Sequence, residues 1–281
     1  MSLRLVDVHK RYVGGKRVLR GLSFSVERGQ TYALIGPNGA GKSTTIKCII
    51  GASRTDSGAI SFEGRPIPEL KERRGLAYLP EALVPPRTAT MEEYLDAVAV
   101  LKDLPAADGR VRYRELSERL GLTAVLKKRI ATFSKGMRKK VSLIQAFLGS
   151  SELMILDEPT SDLDPVARRC ALTLIGERAA EGSAILLTSH ILTDLERVCK
   201  RAGLLLGGAM TNEIDVAYYK RNRLSARIRL EAEVGDASVE LELGGPKARL
   251  DGEYRLKDLV YDTVDLEDWY HDGLGGAGGK A

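Results

Sequence analysis

The sequence has no apolar run approaching the roughly 18–20 residues that a membrane-spanning helix needs. Its start, MSLRLVDVHKRY, alternates like a strand and has neither the apolar stretch nor the cleavage site of a secretory leader. The chain is therefore expected in the cytosol, with any work at a membrane passing through a separate partner. Cysteine is scarce. Cys48, Cys170 and Cys199 make an odd number without metal-ligand spacing, which argues against a zinc site and for small buried hydrophobes in a reducing compartment. There is no internal repeat and no heptad array.

What is present suits a soluble globular protein. The 281 residues are 43% hydrophobic and 29% charged, enough to bury a large core in one big α/β domain or in a domain with a smaller lobe. The net charge of +5 is compatible with acidic lipid headgroups, nucleotide phosphates or nucleic acid, and equally with a solvated surface slightly rich in arginine. Residues 3–35 alternate or run apolar as strands do, and GAISFEGRPI (58–67) has the turn glycines of a hairpin strand. From Thr90 to Leu148 the period becomes helical. Thr90 and Glu93 form a capping-box pattern ahead of MEEYLDAVAVLKDL, VRYRELSERLGL ends at Gly121, and a basic run from Lys135 leads a third helix.

Beyond residue 150, apolar runs (LMILD, AILLTS, GLLLGG) alternate with the helical patterns DPVARRCALTLIGERAA and ILTDLERVCKRA, the signature of a mainly parallel sheet with covering helices. From about residue 222, ARIRLEAEV and SVELELGG alternate strictly, as half-buried antiparallel strands do. The expected organisation is an α/β domain over 1–221 with an inserted helical subdomain at about 90–148. A small β-rich extension follows over 222–281, its GLGGAGGKA end flexible.

Three motifs carry chemistry. GPNGAGKST (36–44) matches G-x-x-x-x-G-K-[ST] between a predicted strand and a predicted helix. Its glycines (Gly36, Gly39, Gly41), with Asn38 and Ala40, let backbone N–H groups turn inward around phosphate oxygens, and the helix N-terminus adds partial positive charge. Lys42 would reach the β- and γ-phosphates and Ser43 would ligate Mg²⁺, with Thr44 beside it. LMILDEP (153–159) ends a buried strand in two carboxylates: Asp157, placed to hold Mg²⁺ through water, and Glu158, placed to position or deprotonate an attacking water. His190, in LLTSHIL, follows another buried strand and so falls on the same edge of the sheet, where it could bond the γ-phosphate and orient the water.

Together GPNGAGKST, FSKGM, LMILDEPTSDLD and TSH resemble the nucleotide-binding domain of the ATP-binding-cassette family, over roughly residues 3–215 and in the family's order. The resemblance implies a P-loop NTPase core with an N-terminal antiparallel β part. It also implies that FSKGM is the family signature, usually written LSGGQ, by which each domain of a head-to-tail pair caps the ATP held by the other. Ser134 and Gly136 keep the needed donors, while Phe133, Lys135 and Met137 depart from the usual residues as in the SKGM variant of simple exporter ATPases. By the same resemblance Tyr12 would stack on adenine, and SDLD (161–164) would cross the dimer interface with Asp164 as its acid. Glu81, in AYLPEALVPP, stands where the family usually has glutamine. It would offer Mg²⁺ an oxygen, but when ionised it cannot donate; a plain surface carboxylate is the alternative. VDLEDWY (264–270) looks like the ending of several such exporter ATPases and is given no catalytic part.

The function implied is ATP hydrolysis with Mg²⁺ by a transporter subunit, paired with a second copy or paralogue and with a separate transmembrane permease. It would sit peripherally on the cytoplasmic face of the membrane, and no nucleic-acid partner is expected. The alternative is a soluble cassette ATPase acting on ribosomes or nucleic acid. Such relatives typically fuse two cassettes or insert a long coiled coil, and this chain has one cassette and no heptads. An unrelated P-loop kinase or GTPase would not combine Ser134–Gly136, Glu158 and His190.

Overall fold

The computed structural model describes residues 2–12, 14–66, 75–82, 86, 88–217, 224–232, 238–242, 254–263 and 266–277. The chain divides into two compact units, 1–213 and 214–281. The division falls earlier than the change of sequence pattern at residue 222, because that change marks the approach to the first strand of the small sheet at Leu224 rather than the end of packing in the first unit.

In the first unit, β1 (Ser2–Arg11), β2 (Arg17–Glu27), β4 (Ser57–Phe62) and β5 (Arg65–Pro66) form an antiparallel sheet in the order β2-β1-β4-β5. A second sheet takes β3 (Thr31–Ile35), β6 (Leu76–Leu79), β7 (Leu153–Asp157), β8 (Ala184–Thr188), β9 (Arg201–Leu206) and β10 (Ala209–Asp215) in the order β10-β9-β3-β8-β7-β6. From β9 to β6 every pairing is parallel. Strands β3, β7 and β8 are buried at every position, which is why they read as continuous apolar runs rather than alternating ones. One core joins the two sheets: Leu3, Leu5, Leu22, Phe24 and Val26 from the antiparallel sheet pack with Tyr32, Leu34, Ile155 and Leu186 from the parallel one. Phe24 and Tyr32 stack with ring centroids 5.1 Å apart.

Strand β6 was not anticipated; four residues carry too little periodicity to read. The segment ILTDLERVCKRA, expected to be helical throughout, forms helix only over Leu192–Val198, because Arg201 already pairs with Tyr32 in the sheet.

The helices follow their end signals. α1 (Lys42–Ile49) starts behind Gly41 at φ 116°. α2 (Met91–Leu101) has the full reciprocal capping box: Glu93 N–H donates to Thr90 Oγ1 at 3.2 Å and Thr90 N–H to Glu93 Oε2 at 2.8 Å. α3 (Ala106–Arg119) precedes the positive-φ Gly121. α4 (Lys135–Phe147) is capped by Ser134, whose hydroxyl accepts from Met137 N–H at 3.2 Å. α5 (Pro165–Ala180) has Asp164 as its cap and proline in the first turn, and α6 is Leu192–Val198.

Two cations close the far end of α4: Lys102 Nζ donates to the carbonyls of Gln145, Ala146 and Leu148, and Arg178 to those of Phe147 and Gly149. Burial pulls Lys102 down from its ordinary value to about 8, with Arg178 adding to the effect. Arg119 of α3 makes a bidentate pair with Glu177 of α5 at 2.8 and 2.9 Å, tying the helical subdomain to the core.

In the second unit β11 (Leu224–Ala232) lies between β12 (Ser238–Glu242) and β13 (Tyr254–Thr263), antiparallel to both. α7 (Leu266–Ala277) runs through Gly273, Gly275 and Gly276, where the sequence predicts a flexible end. The helix begins in the better-forming LEDWYHD stretch, with Leu266 and Trp269 buried, and continues through the glycines; residues 278–281 lie outside the described residues. Among the described residues no helix is long and apolar enough to cross a membrane. Cys48 and Cys199 are buried as expected, with their thiols pushed up by burial, and Cys170 is half-buried.

Candidate functional site

The site lies where the parallel strands end. β3 runs into the loop 36–41, which turns directly into α1. A Cβ on Gly36 would stand 2.3 Å from the Leu205 carbonyl oxygen, so that position requires glycine for close approach, while Gly41 requires it for its φ of 116°. Gly39, at φ 82°, faces open space and needs glycine for its backbone alone. Ala40 is buried, Thr45 anchors the first turn of α1 by donating to the Gly41 carbonyl at 3.0 Å, and Ser43 is exposed at the helix start. Lys42 folds across the loop, donating to the carbonyls of Gly36 (2.5 Å) and Pro37 (3.2 Å). Burial lowers its pKa while Glu158 and Asp157 oppose the shift.

The end of β7 supplies the carboxylates. Asp157 is nearly buried, and Thr188 at the end of β8 donates its hydroxyl to Asp157 Oδ1 at 2.6 Å. That hydroxyl also accepts from Glu158 N–H at 3.3 Å. Glu158 adopts φ 50°, an uncommon left-handed conformation for a residue with a side chain and the kind of local strain that collects at functional sites. Its carboxylate meets His190 Nδ1 at 2.8 Å, with the His190 N–H at 3.4 Å. In the tautomer with the proton on Nδ1 the ring donates to the carboxylate, leaving Nε2 as an acceptor on an exposed edge.

A cleft of about 420 Å³ opens over these groups. It is lined by Asn38, Gly39, Gly41, Lys42, Ser43, Thr44, Glu81, Asp157 and Glu158, together with Lys16, Arg17, Val18, Arg20 and Gly207. Loop donors, helix N-terminus, lysine and arginines on one side face three carboxylates on the other. This arrangement fits a polyphosphate with a divalent cation shared between phosphate and protein oxygens. Among the described residues no group of three or more His, Cys, Asp or Glu is placed to hold a metal ion.

The other expected residues stand apart from this lining. Tyr12 is 40% exposed, with the Lys10 ammonium 5.3 Å from its ring centroid, and reaches the cleft only through its backbone bond to Lys16. Asp164 accepts from Ala167 N–H at 2.9 Å and pairs with Lys140 at 2.7 Å. Ser134 caps α4 and Gly136 lies in its first turn, with Asp162 O only 2.8 Å from where a Gly136 Cβ would be.

Several lining or supporting groups went unread in the sequence. The basic side chains of GGKRVLR line the cleft because the β1–β2 turn folds beside the phosphate loop, which no local pattern shows. Thr188 looked like an ordinary strand end. Lys139 lies in a basic helical run and reads as solvated, yet it is 4% exposed and donates to the carbonyls of Glu81 (3.1 Å), Asp157 (3.2 Å) and Pro80 (3.4 Å). Burial brings its pKa down to about 8 against the pull of Asp157, Glu158, Glu81 and Asp162.

The profile of the family described as ABC transporter matches residues 19–161, from β2 through the phosphate loop to the carboxylates. This chain belongs to the ABC transporter family. It is 32% identical over 245 residues, 86% of this chain and 75% of the relative, to the linearmycin resistance ATP-binding protein LnrL of Bacillus subtilis. It is 33% identical over 248 residues, 86% of this chain and 77% of the relative, to a Nod factor export ATP-binding protein I of Burkholderia pseudomallei. A solved ATP-binding subunit of an ABC transporter superposes with a TM-score of 0.74 at 38% identity, covering 79% of this chain and 92% of that one. Within the ABC transporter family the chain is thus an ATP-binding subunit with the P-loop NTPase fold, and its family chemistry is ATP hydrolysis.

Proposed function

We propose that this ABC subunit drives export through a separate transmembrane permease, on whose cytoplasmic side it sits, by closing head to tail with a second copy or a paralogue around two MgATP molecules. The observation that carries the reading is a division of parts. The cleft of one chain gathers Lys42, Ser43, Asp157 and Glu158, while Ser134 and Gly136, which offer a second helix N-terminus and a hydroxyl, are absent from its described lining. Outside that lining, the helix N-terminus is available to the nucleotide of a second chain.

In this reading the loop 36–44 cradles the β- and γ-phosphates and Lys42 exchanges its carbonyl partners for phosphate oxygens. Ser43, Asp157 and Glu81 would hold Mg²⁺, whose chemistry is to neutralise charge on the phosphates. Glu158 orients the attacking water and takes its proton, and His190 holds Glu158 in place through Nδ1–H; only as imidazolium, with Nε2–H also a donor, would the same ring bond the γ-phosphate. Tyr12 stacks on the adenine, and the loop ending at Asp164 lies at the interface with the second subunit. Closed and open pairs differ in affinity for ATP, and that difference supplies the work. The exporting relatives support the direction of transport.

The test uses tagged Glu158→Gln, which keeps the shape of the site but removes the base, so that the closed pair persists. The variant is bound to MgATP and recovered from detergent-solubilised native membranes, and its companions are read by mass spectrometry. A stoichiometric multi-span protein supports the proposal. Ribosomal proteins or nucleic acid in its place would overturn it in favour of a soluble ATPase.

A further inference from the structure

We propose that Lys139 is a positioning residue that mechanically joins the helix serving the partner's nucleotide to this chain's own site, so that the two sites hydrolyse cooperatively. The proposal rests on the head-to-tail reading above. α4 carries Ser134 and Gly136 at its start, and just over a turn later the same helix buries the Lys139 ammonium against the carbonyls of Pro80, Glu81 and Asp157. Three N–H donors face three acceptors, at 3.1 and 3.2 Å to Glu81 and Asp157 and a longer 3.4 Å to Pro80. Glu81 follows β6 and Asp157 ends β7, neighbouring strands of the sheet, and both line the cleft.

A second set of ties runs the same way. Lys135 pairs with Asp162 at 2.9 Å and Lys140 with Asp164 at 2.7 Å, linking α4 to the loop that follows Glu158. The Lys135–Asp162 pair, with Lys135 75% exposed, is correspondingly weak, whereas Lys140 is only 16% exposed against a half-exposed Asp164. Lys139 is buried and donates to neutral carbonyls rather than to a carboxylate. An apolar side chain of similar length would avoid burying that charge but would leave three carbonyls without this donor, so what the lysine specifically contributes is a tie between α4 and those carbonyls. A rigid helix that shifts when its N-terminus engages a γ-phosphate carries the ammonium with it, and the carbonyls of Glu81 and Asp157 follow.

The test compares wild type with Lys139→Met and Lys139→Arg in steady-state ATPase assays, with ATP-driven dimerisation measured in the Glu158→Gln background. The expectation for Lys139→Met is a kcat lower by about 10- to 100-fold, the range for lost supporting contacts around a metal site. KM and dimerisation should be little changed, a Hill coefficient above unity in wild type should fall to unity, and Lys139→Arg should restore part of both. Wild-type kcat and Hill coefficient in folded Lys139→Met would overturn the proposal, as would a wild-type enzyme that is itself non-cooperative. If Lys139→Met does not fold, Lys139→Gln decides: it supplies one amide for three carbonyls, so reduced kcat without cooperativity supports the proposal and unchanged values overturn it. Failure of Glu158→Gln alone to dimerise with MgATP would instead sink the head-to-tail reading, and so is distinguishable.

Discussion

Replacing Thr188 by valine removes one hydroxyl and little else. The side chain is fully buried, and valine occupies nearly the same space, so no cavity contributes. What is lost is a 2.6 Å donor to Asp157 Oδ1 and a weaker acceptor for Glu158 N–H, which retains the Thr188 carbonyl at 3.2 Å. A hydrogen bond to a charged group contributes about 1.5–3 kcal/mol, and a buried carboxylate left short of a donor bears that loss nearly in full. We expect unfolding free energy in urea, without nucleotide, to fall by about 2 kcal/mol, a large part of the roughly 5–15 kcal/mol typical of a domain. Function should suffer separately, because an unheld carboxylate turns away from the cation. The Mg²⁺ concentration for half-maximal ATPase should rise, or activity at saturating Mg²⁺ should fall, by about 10- to 100-fold. Stability within about 0.5 kcal/mol of wild type together with an unchanged Mg²⁺ titration would refute the reasoning, since that is the scale of an ordinary surface substitution.

Gly36→Ala should abolish nucleotide binding measured with a fluorescent ATP analogue, because its Cβ would overlap the Leu205 carbonyl and force β3 from β9. Gly39→Ala meets no atom within 4 Å and should lose much less, so the reverse ranking would count against the described loop. Glu81→Gln keeps an oxygen at the cleft and should preserve ATP binding and turnover within a modest factor; complete loss of ATPase activity would show that the charge matters. Lys102 has a folded pKa near 8 against an ordinary 10.5, so between those values the unfolded chain binds more protons and stability rises with pH. Relative to Lys102→Met, wild type should therefore gain stability from pH 8 toward pH 10.5 and lose it as pH falls through 8; a flat difference in urea titrations would be the contrary result.

Chemistry carried by contiguous residues was readable from the sequence, and chemistry assembled across strands was not. The loop 36–44, the Asp157–Glu158 pair, the Thr90–Glu93 box and the buried runs of β3, β7 and β8 each announce themselves within a few residues. Lys16, Arg17 and Arg20 do not, since they reach the cleft only once β1 and β2 pair. Lys139 misleads for another reason: helical spacing shows which residues share a face, but not that one lysine of a basic run points inward. The GLGGA end of α7 shows the limit of propensity, because glycines cost helix but do not forbid it once a preceding turn is anchored.

The strand that launches the phosphate loop has a consequence for how the protein is made. Its neighbours are not local: Thr31 is paired with Ile185 and Tyr32 with Arg201. On a ribosome adding about 5–20 residues each second, TYALI must therefore wait about 8 to 30 seconds before either flanking strand has been synthesised. Through that interval five consecutive side chains destined for complete burial have no sheet to enter. The nascent chain, more than the finished subunit, is the species that should need a chaperone, and ATP cannot assist its folding until synthesis has passed Leu206.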